Sequence, residues 1–178
     1  MTTDTSASIP LYDTTRFASL EAYVAHMNSE LAAKTPLEII QWAFDTYGAG
    51  AVLSSSFGIQ SAVMLNLART VARQIRVIWI DTGYLPRETY LFAASLAKQL
   101  DLDIKLWEIE TAQAHKQYGF IRKVEPMQRA LKELNASALL VGVRADQTSH
   151  RESMQVVNIY EGRLKICPIL KWTKQDVE

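Results

Sequence analysis

The sequence predicts an α/β fold, a mainly parallel sheet with helices on both faces. Short apolar runs, Ala51–Ser55, Val77–Ile80, Ile104–Trp107 and Ala138–Val143, alternate with stretches of helical periodicity, Gln60–Ala72, Pro86–Leu100 and Glu125–Leu134. Strand–helix–strand alternation closes as parallel strands joined by right-handed helical crossovers. Composition agrees, because 178 residues with 48% apolar side chains supply the core of one compact domain.

The elements follow in order. The first dozen residues are Ser/Thr-rich and expected to fray. From Phe17, apolar residues at Leu20, Val24, Met27 and Leu31 recur at spacings of three and four, which predicts an amphipathic helix. Thr35-Pro36-Leu37-Glu38 is a capping box with proline at the first helical position. The helix it opens carries Ile39, Ile40, Trp42, Ala43 and Phe44 and should stop at Gly48, which tolerates a left-handed backbone. Beyond the alternating region, Val156–Tyr160 and Arg163–Ile166 flank Glu161-Gly162 as a hairpin. Thr173 reads as the cap of a further helix that ends within a turn, so a C-terminal tail missing from the sequence is expected. The whole of 1–178 is expected to be one domain, with a helical N-terminal segment over 16–47.

Nineteen basic and nineteen acidic residues cancel. That balance argues against a broad nucleic-acid surface, yet leaves room for a few arginines around one small anion. The apolar runs are too short to span a bilayer, and the N-terminal segment has neither a basic nor an apolar signal region. A cytoplasmic protein without membrane association is the expectation. The single cysteine, Cys167, cannot form an internal disulfide. Its position in Lys165-Ile166-Cys167-Pro168-Ile169, inside an apparent strand, predicts a buried, inert thiol.

Four segments can carry chemistry. Ser54-Ser55-Ser56-Phe57-Gly58-Ile59-Gln60-Ser61 stands where the first strand turns into a helix. Small residues there let backbone N–H groups approach an anion at a helix N-terminus; the plain alternative is a serine-rich turn that caps the helix. The segment lacks the lysine ending of a Walker loop and the spaced glycines of a dinucleotide fingerprint. Asp81-Thr82-Gly83-Tyr84 follows the second strand, and Asp81 suits either a ribose hydroxyl or adenine amine, or the cap of the next helix. Lys123 to Leu131 reads as a helix start with a solvated basic face. Gly142 to Arg151 puts Arg144 and Arg151 around a Thr-Ser pair after another strand, an arrangement suited to phosphate or sulfate. His150 reads as a surface histidine, with no partner at metal-ligand spacing.

Together these segments resemble the phosphoadenosine-phosphosulfate (PAPS) reductase family of assimilatory sulfate reduction. The matching stretches are Ser54–Gln60, Asp81–Tyr84 with Glu88-Thr89-Tyr90, Lys123–Leu134, Gly142–Arg151 with its Arg-x-x-Gln core, and Pro168-Ile169-Leu170-Lys171-Trp172. The resemblance implies a Rossmann-related, adenine nucleotide α-hydrolase-like fold. It makes Ser54, Ser55, Ser56, Phe57, Gly58, Gln60 and Ser61 the modified P-loop, puts Asp81 and Gly83 by the adenosine, and surrounds the phosphates with Lys123, Arg129, Arg144, Gln147 and Arg151. It also implies reduction of 3'-phosphoadenylyl sulfate to sulfite and adenosine 3',5'-bisphosphate. Electrons would come from reduced thioredoxin or glutaredoxin with no bound cofactor or metal, and a homodimer is compatible.

The family's nucleophile is a cysteine in a C-terminal Glu-Cys-Gly-Leu-His-like motif, which no stretch of this sequence matches, so no catalytic residue is visible. The family also has an extra loop of roughly a dozen residues between Gly119 and Phe120, the length of an active-site lid. Two alternatives follow from these departures. One is an iron–sulfur adenylyl-sulfate reductase, whose four cluster cysteines are not visible here; Met127-Gln128-Arg129-Ala130-Leu131 looks more like the cluster-free branch. The other is a catalytically dead nucleotide-binding module. An ATP-cleaving relative fits less well, because Gln60 stands where such P-loops carry aspartate.

Overall fold

The computed structural model describes residues 10–58, 60–108 and 123–178. Of the dozen N-terminal residues expected to fray, 1–9 lie outside the described residues, as does the junction between Gly119 and Phe120, whereas Leu11 and Tyr12 are held by contacts with Tyr47 and Tyr23. The helices are α1 (Leu20–Glu30), α2 (Pro36–Tyr47), α3 (Ser61–Val71), α4 (Arg87–Leu100), α5 (Glu125–Glu133) and the single turn α6 (Ser149–Glu152). The strands are β1 (Ala51–Ser54), β2 (Arg76–Asp81), β3 (Asp103–Glu108), β4 (Ala138–Val141), β5 (Val157–Tyr160) and β6 (Arg163–Ile166). They form one sheet in the order β3-β2-β1-β4-β6-β5, parallel except for the antiparallel edge pair β5 and β6.

The strands alternate their side chains between two apolar layers. Leu53, Val77, Trp79, Ala138 and Leu140 join the layer shared with α1 to α4, whereas Val52, Ile78 and Leu139 face Ala130 and Leu131 of α5. Both faces of β1, β2 and β4 are therefore apolar, which is why these strands read as continuous runs. The pairing matters for function. From β1 the chain moves outward through β2 to β3, then returns to place β4 on the other flank of β1. Such a reversal leaves a crevice beyond the C-terminal ends of β1 and β4.

Local signals set most boundaries. Thr35 caps α2 as expected: its Oγ1 accepts from Glu38 N–H at 3.3 Å, and the Glu38 carboxylate accepts from Thr35 N–H at 2.8 Å. Gly48 ends that helix at φ 51°. The first helix starts at Leu20 rather than Phe17, because Ser19 accepts from Ala22 N–H at 3.2 Å and sets the N-cap there. Phe17 packs instead from the preceding turn, its ring 5.1 Å from that of Tyr23. β4 stops at Val141, two residues before the expected end, where the chain leaves the sheet at Gly142. Cys167 also lies one residue past β6 rather than within a strand, although its N–H still donates to Val156 O at 2.8 Å. Thr173 opens only a short 3-10 turn, with Asp176 accepting from its N–H at 2.6 Å.

The N-terminal helices are tied to the sheet by polar contacts as well as by the shared core. The Tyr47 hydroxyl donates to Leu11 O at 3.0 Å and lies 3.0 Å from the Tyr23 hydroxyl; burial first, and then Tyr23, push the phenol of Tyr47 far above its usual range. At the sheet edge, the Asn28 amide donates to Val157 O at 2.8 Å and accepts from Val157 N–H at 2.9 Å. Among the described residues, no helix is long and apolar enough to cross a membrane. Asn28→Ala should remove both bonds and cost about 1–3 kcal/mol, the range for partly buried groups left unpaired. Urea denaturation checks this, with a lowered midpoint expected.

Candidate nucleotide-binding cleft

The turn after β1 is built around Phe57. The backbone there adopts φ 51°, which is uncommon for a residue with a side chain. This conformation turns the ring into the core, where it is 1% exposed and lies 4.8 Å from the Trp79 ring. Trp79 in turn lies 5.5 Å from Tyr90, whose hydroxyl donates to the Asp81 carboxylate at 2.8 Å. Aromatic packing thus links the turn after β1 to the turn after β2. Phe57 N–H donates to Ser55 Oγ at 3.1 Å, and Ser55 N–H donates to Ile78 O at 3.0 Å. The side chain of Phe57 consequently supports the turn from behind.

The serines do not cap α3. Ser55 Oγ is committed to Phe57, and Ser61 Oγ donates to Gly58 O at 2.6 Å. Gln60 occupies the N-cap without a side-chain capping bond, and the first turn contains no acidic residue. The plain alternative, a turn that serves only as a helix cap, therefore does not describe these residues. The Ser61 N–H is taken by Gly58 O at 2.8 Å, while a helix start without a side-chain cap carries partial positive charge.

Across the crevice, Gly142 leads from β4 into the second loop. A Cβ at Gly142 would meet Met64 Cβ at 3.3 Å, so glycine lets this loop pass close to α3. Arg144 is 5% exposed. Its Nε donates to Asp146 Oδ1 at 3.0 Å and its Nη1 to Gln60 Oε1 at 2.7 Å. Gln147 Oε1 accepts from Arg144 N–H at 3.1 Å and also from Arg151 Nη1. Ala145 N–H donates to Leu170 O at 2.8 Å, anchoring the loop to the turn that follows β6.

The two loops enclose a cleft with a volume of about 770 Å³ at the switch point. Ser54, Ser55, Ser56, Gly58, Gln60, Ser61, Arg144, Gln147 and Arg151 line it, with Met64, Leu65 and Ile169 among its apolar walls. Nine sequence-selected positions from two distant segments thus meet in one place. Asp81, Gly83, Lys123 and Arg129 are outside that lining. Asp81 does not cap α4; its Oδ1 accepts from Gly83 N–H at 2.7 Å while the carboxylate also receives the Tyr90 hydroxyl. Lys123 is exposed ahead of α5, and Arg129 pairs with Glu125 at 3.2 Å along the helix.

Sequence reasoning missed Gly142 as the point of closest approach and Asp146 as a partner of Arg144. The Arg-x-Asp spacing carried the second signal. A comparable cavity at the opposite, N-terminal ends of β1 to β3, of about 730 Å³, is lined by Arg73 and Arg76 among others. Arg76 is already used there, donating to the carbonyls of Ala49 and Leu134. Among the described residues, no three His, Cys, Asp or Glu side chains gather where they could hold a metal ion.

Cys167 is fully buried, and desolvation pushes its thiol up to about 11 against weaker opposing influences from Lys165 and Arg151. Such a thiol is a poor nucleophile near neutral pH.

An open α/β sheet with a phosphate-sized cluster of serines and arginines at its switch point defines a nucleotide-binding class of protein. Residues 50–178 match the model of the phosphoadenosine phosphosulfate reductase domain, so the chain belongs to that family. It is 49% identical over 171 aligned residues to the phosphoadenosine 5'-phosphosulfate reductase of Synechococcus sp., covering 86% of this chain and 74% of that protein. The crystal structure of phosphoadenylyl-sulfate reductase from Candida auris, a phosphate complex, superposes with a TM-score of 0.75 at 26% identity, covering 89% of this chain and 83% of that one. The FMN adenylyltransferase of Candida glabrata shares the fold alone, with a TM-score of 0.65 at 13% identity over 93% of this chain and 57% of that one. These likenesses agree with the adenine nucleotide α-hydrolase-like architecture expected from the sequence.

Two outcomes follow from this packing. Phe57→Ala should destabilise the protein by about 3–5 kcal/mol, as for truncation of a buried aromatic ring, measured by urea denaturation. The raised Cys167 thiol means that the folded state retains its proton after the unfolded chain has lost it. Its contribution to stability is therefore complete below the unfolded thiol value and is lost as pH rises from about 9 towards 11. Thermal melts across that interval should fall less steeply for Cys167→Ala than for the parent protein.

Proposed function

We propose that this protein reduces 3'-phosphoadenylyl sulfate to sulfite and adenosine 3',5'-bisphosphate in sulfate assimilation, with reduced thioredoxin or glutaredoxin as electron donor. In this reading residues 1–178 act as one nucleotide-binding domain, and the cleft at the switch point holds the anionic part of the substrate. The observation that carries the reading is the convergence of the uncapped α3 terminus with Arg144 and Arg151 on one cleft. The family membership of the chain gives the reaction.

The chemistry fits the side chains. A thiolate attacks the sulfonate sulfur, the bond from sulfur to the nucleotide oxygen breaks, and adenosine 3',5'-bisphosphate leaves. A redoxin thiolate then attacks the cysteine Sγ of the resulting S-sulfocysteine, the Sγ–sulfonate bond breaks with its electron pair leaving on sulfite, and the enzyme–redoxin mixed disulfide that forms releases the enzyme thiolate in the next step. The second redoxin thiol closes the redoxin disulfide, so two electrons pass to the substrate sulfur. Negative charge grows on the departing nucleotide, where fixed guanidinium groups and N–H donors lower the barrier most. Cys167 is unsuited to the attack, being buried and held as a thiol. The attacking thiolate is assigned instead to the family's C-terminal cysteine motif.

Asp81 and Gly83 are assigned to the adenosine, and Lys123 and Arg129 to the outer phosphate, as second-tier contacts relative to the cleft residues. Phe57 contributes by holding the P-loop turn. Arg144→Ala or Arg151→Ala should weaken adenosine 3',5'-bisphosphate by about 1.5–3 kcal/mol, the range for charged hydrogen bonds, as read by titration calorimetry. Affinity unchanged from the parent would remove that arginine from the site. Equal affinity for 5'-AMP and the bisphosphate would reject the assigned 3'-phosphate contacts.

A further inference from the structure

We propose that Gln60 and Gln147 are positioning residues that hold the two cleft arginines through neutral amide oxygens, so that the guanidinium charge stays available to a polyanionic nucleotide. The inference rests on the reading of the cleft given above, and it assigns Gln60 a role through Arg144 instead of through the substrate.

A guanidinium as buried as that of Arg144 must be paired or hydrogen-bonded to remain charged there at tolerable cost. A carboxylate would supply the strongest partner, yet it would also cancel the field that attracts an anion. Among the described residues, the carboxylate that meets Arg144 is Asp146, itself partly exposed at 36% of its side-chain surface. Gln60, from the other side of the crevice, supplies the second bond at 2.7 Å, across 84 positions of sequence. The bond fixes the guanidinium relative to the start of α3 while adding no negative charge. Nη2 of Arg144 makes no hydrogen bond among the described residues, so donor capacity remains.

Gln147 repeats the device. Its carbonyl oxygen accepts from both Arg144 N–H and Arg151 Nη1, binding the two arginines to one acceptor. Arg151 has no ion-pair partner among the described residues. Each guanidinium is therefore oriented by an amide, and one of them by amides alone. A glutamate at either position would keep length and an accepting oxygen toward the arginine, and would replace the amide NH2 by a second, charged oxygen.

That isosteric exchange is the test. Gln60→Glu and Gln147→Glu are compared with the parent and with Arg144→Ala for binding of adenosine 3',5'-bisphosphate and of uncharged adenosine by titration calorimetry, with thermal melts alongside. Each glutamate variant should lose on the order of tenfold in affinity for the bisphosphate, the effect of one added charge at short range, and show a shallower salt dependence. Adenosine affinity should remain as in the parent and the melting temperature should not fall, since a carboxylate is the stronger partner of a guanidinium; a merely structural role would not weaken the bisphosphate alone. Gln147 is exposed, so Gln147→Glu gives a folded variant even if Gln60→Glu does not. Bisphosphate affinity within twofold of the parent in the folded glutamate variants, with Arg144→Ala still weakened, overturns this inference and leaves the assigned cleft intact. Bisphosphate binding unaffected by Arg144→Ala overturns the reading of the cleft itself.

Discussion

The left-handed backbone at Phe57 is the constraint on which the rest of the site depends. A residue with a Cβ pays strain at such a φ, and here burial of the ring against Trp79 offsets it. The reversal moves the chain off the end of β1 and leaves Gly58, Gln60 and Ser61 at the mouth of the cleft. It acts together with the close approach of Gly142 to Met64 of α3 and the Gln60–Arg144 bond, which also relate the α3 terminus to the β4 loop. The same ring also leads through Trp79 to Tyr90 and Asp81, so the two turns beyond β1 and β2 share one aromatic support.

Electrostatic design in the cleft depends on that support. Arg144 can be buried only because its partners are held at fixed positions by separate elements: Gln60 by the start of α3, and Asp146 and Gln147 by the loop after β4. The strand pairing of β1 with β4 brings those elements together in register from Ala51 opposite Ala138 to Ser54 opposite Val141. The composition of the crevice is thus a consequence of sheet order, since neither loop alone contains the whole set of cleft-lining polar groups.

The legible part of the molecule is the part governed by short-range rules. Thr35 and Glu38 announce their capping box because both halves lie within four residues, and Glu161-Gly162 announces a hairpin because a left-handed turn suits them, with φ at 51° and 70°. The strands are legible because burial on both faces makes them continuous apolar runs. Sheet order was not readable in the same way, since pairing of β1 with β4 depends on packing between segments far apart in sequence. Nor did the motif disclose that Phe57 points inward, because its position among serines looks like part of a ligand loop. Lys123 and Arg129 show the converse case: motif membership grouped them with Arg144 and Arg151, while the fold sets them outside the lining of the cleft. The families of motifs therefore identify the class of site better than they identify which side chain does what.

The contact of Asn28 with β5 has a consequence for solubility. A side-chain amide offers both a donor and an acceptor, as a peptide group does, and here each meets the backbone of Val157 where a further strand would otherwise pair. The outer side of β5 is thereby covered at Val157 by a single residue of α1. Exposed Ile159 lies two positions along that strand, so loss of the helix would uncover backbone valences beside an apolar side chain. The contact that attaches the N-terminal helix is thus also the one that occupies the outward backbone groups of Val157.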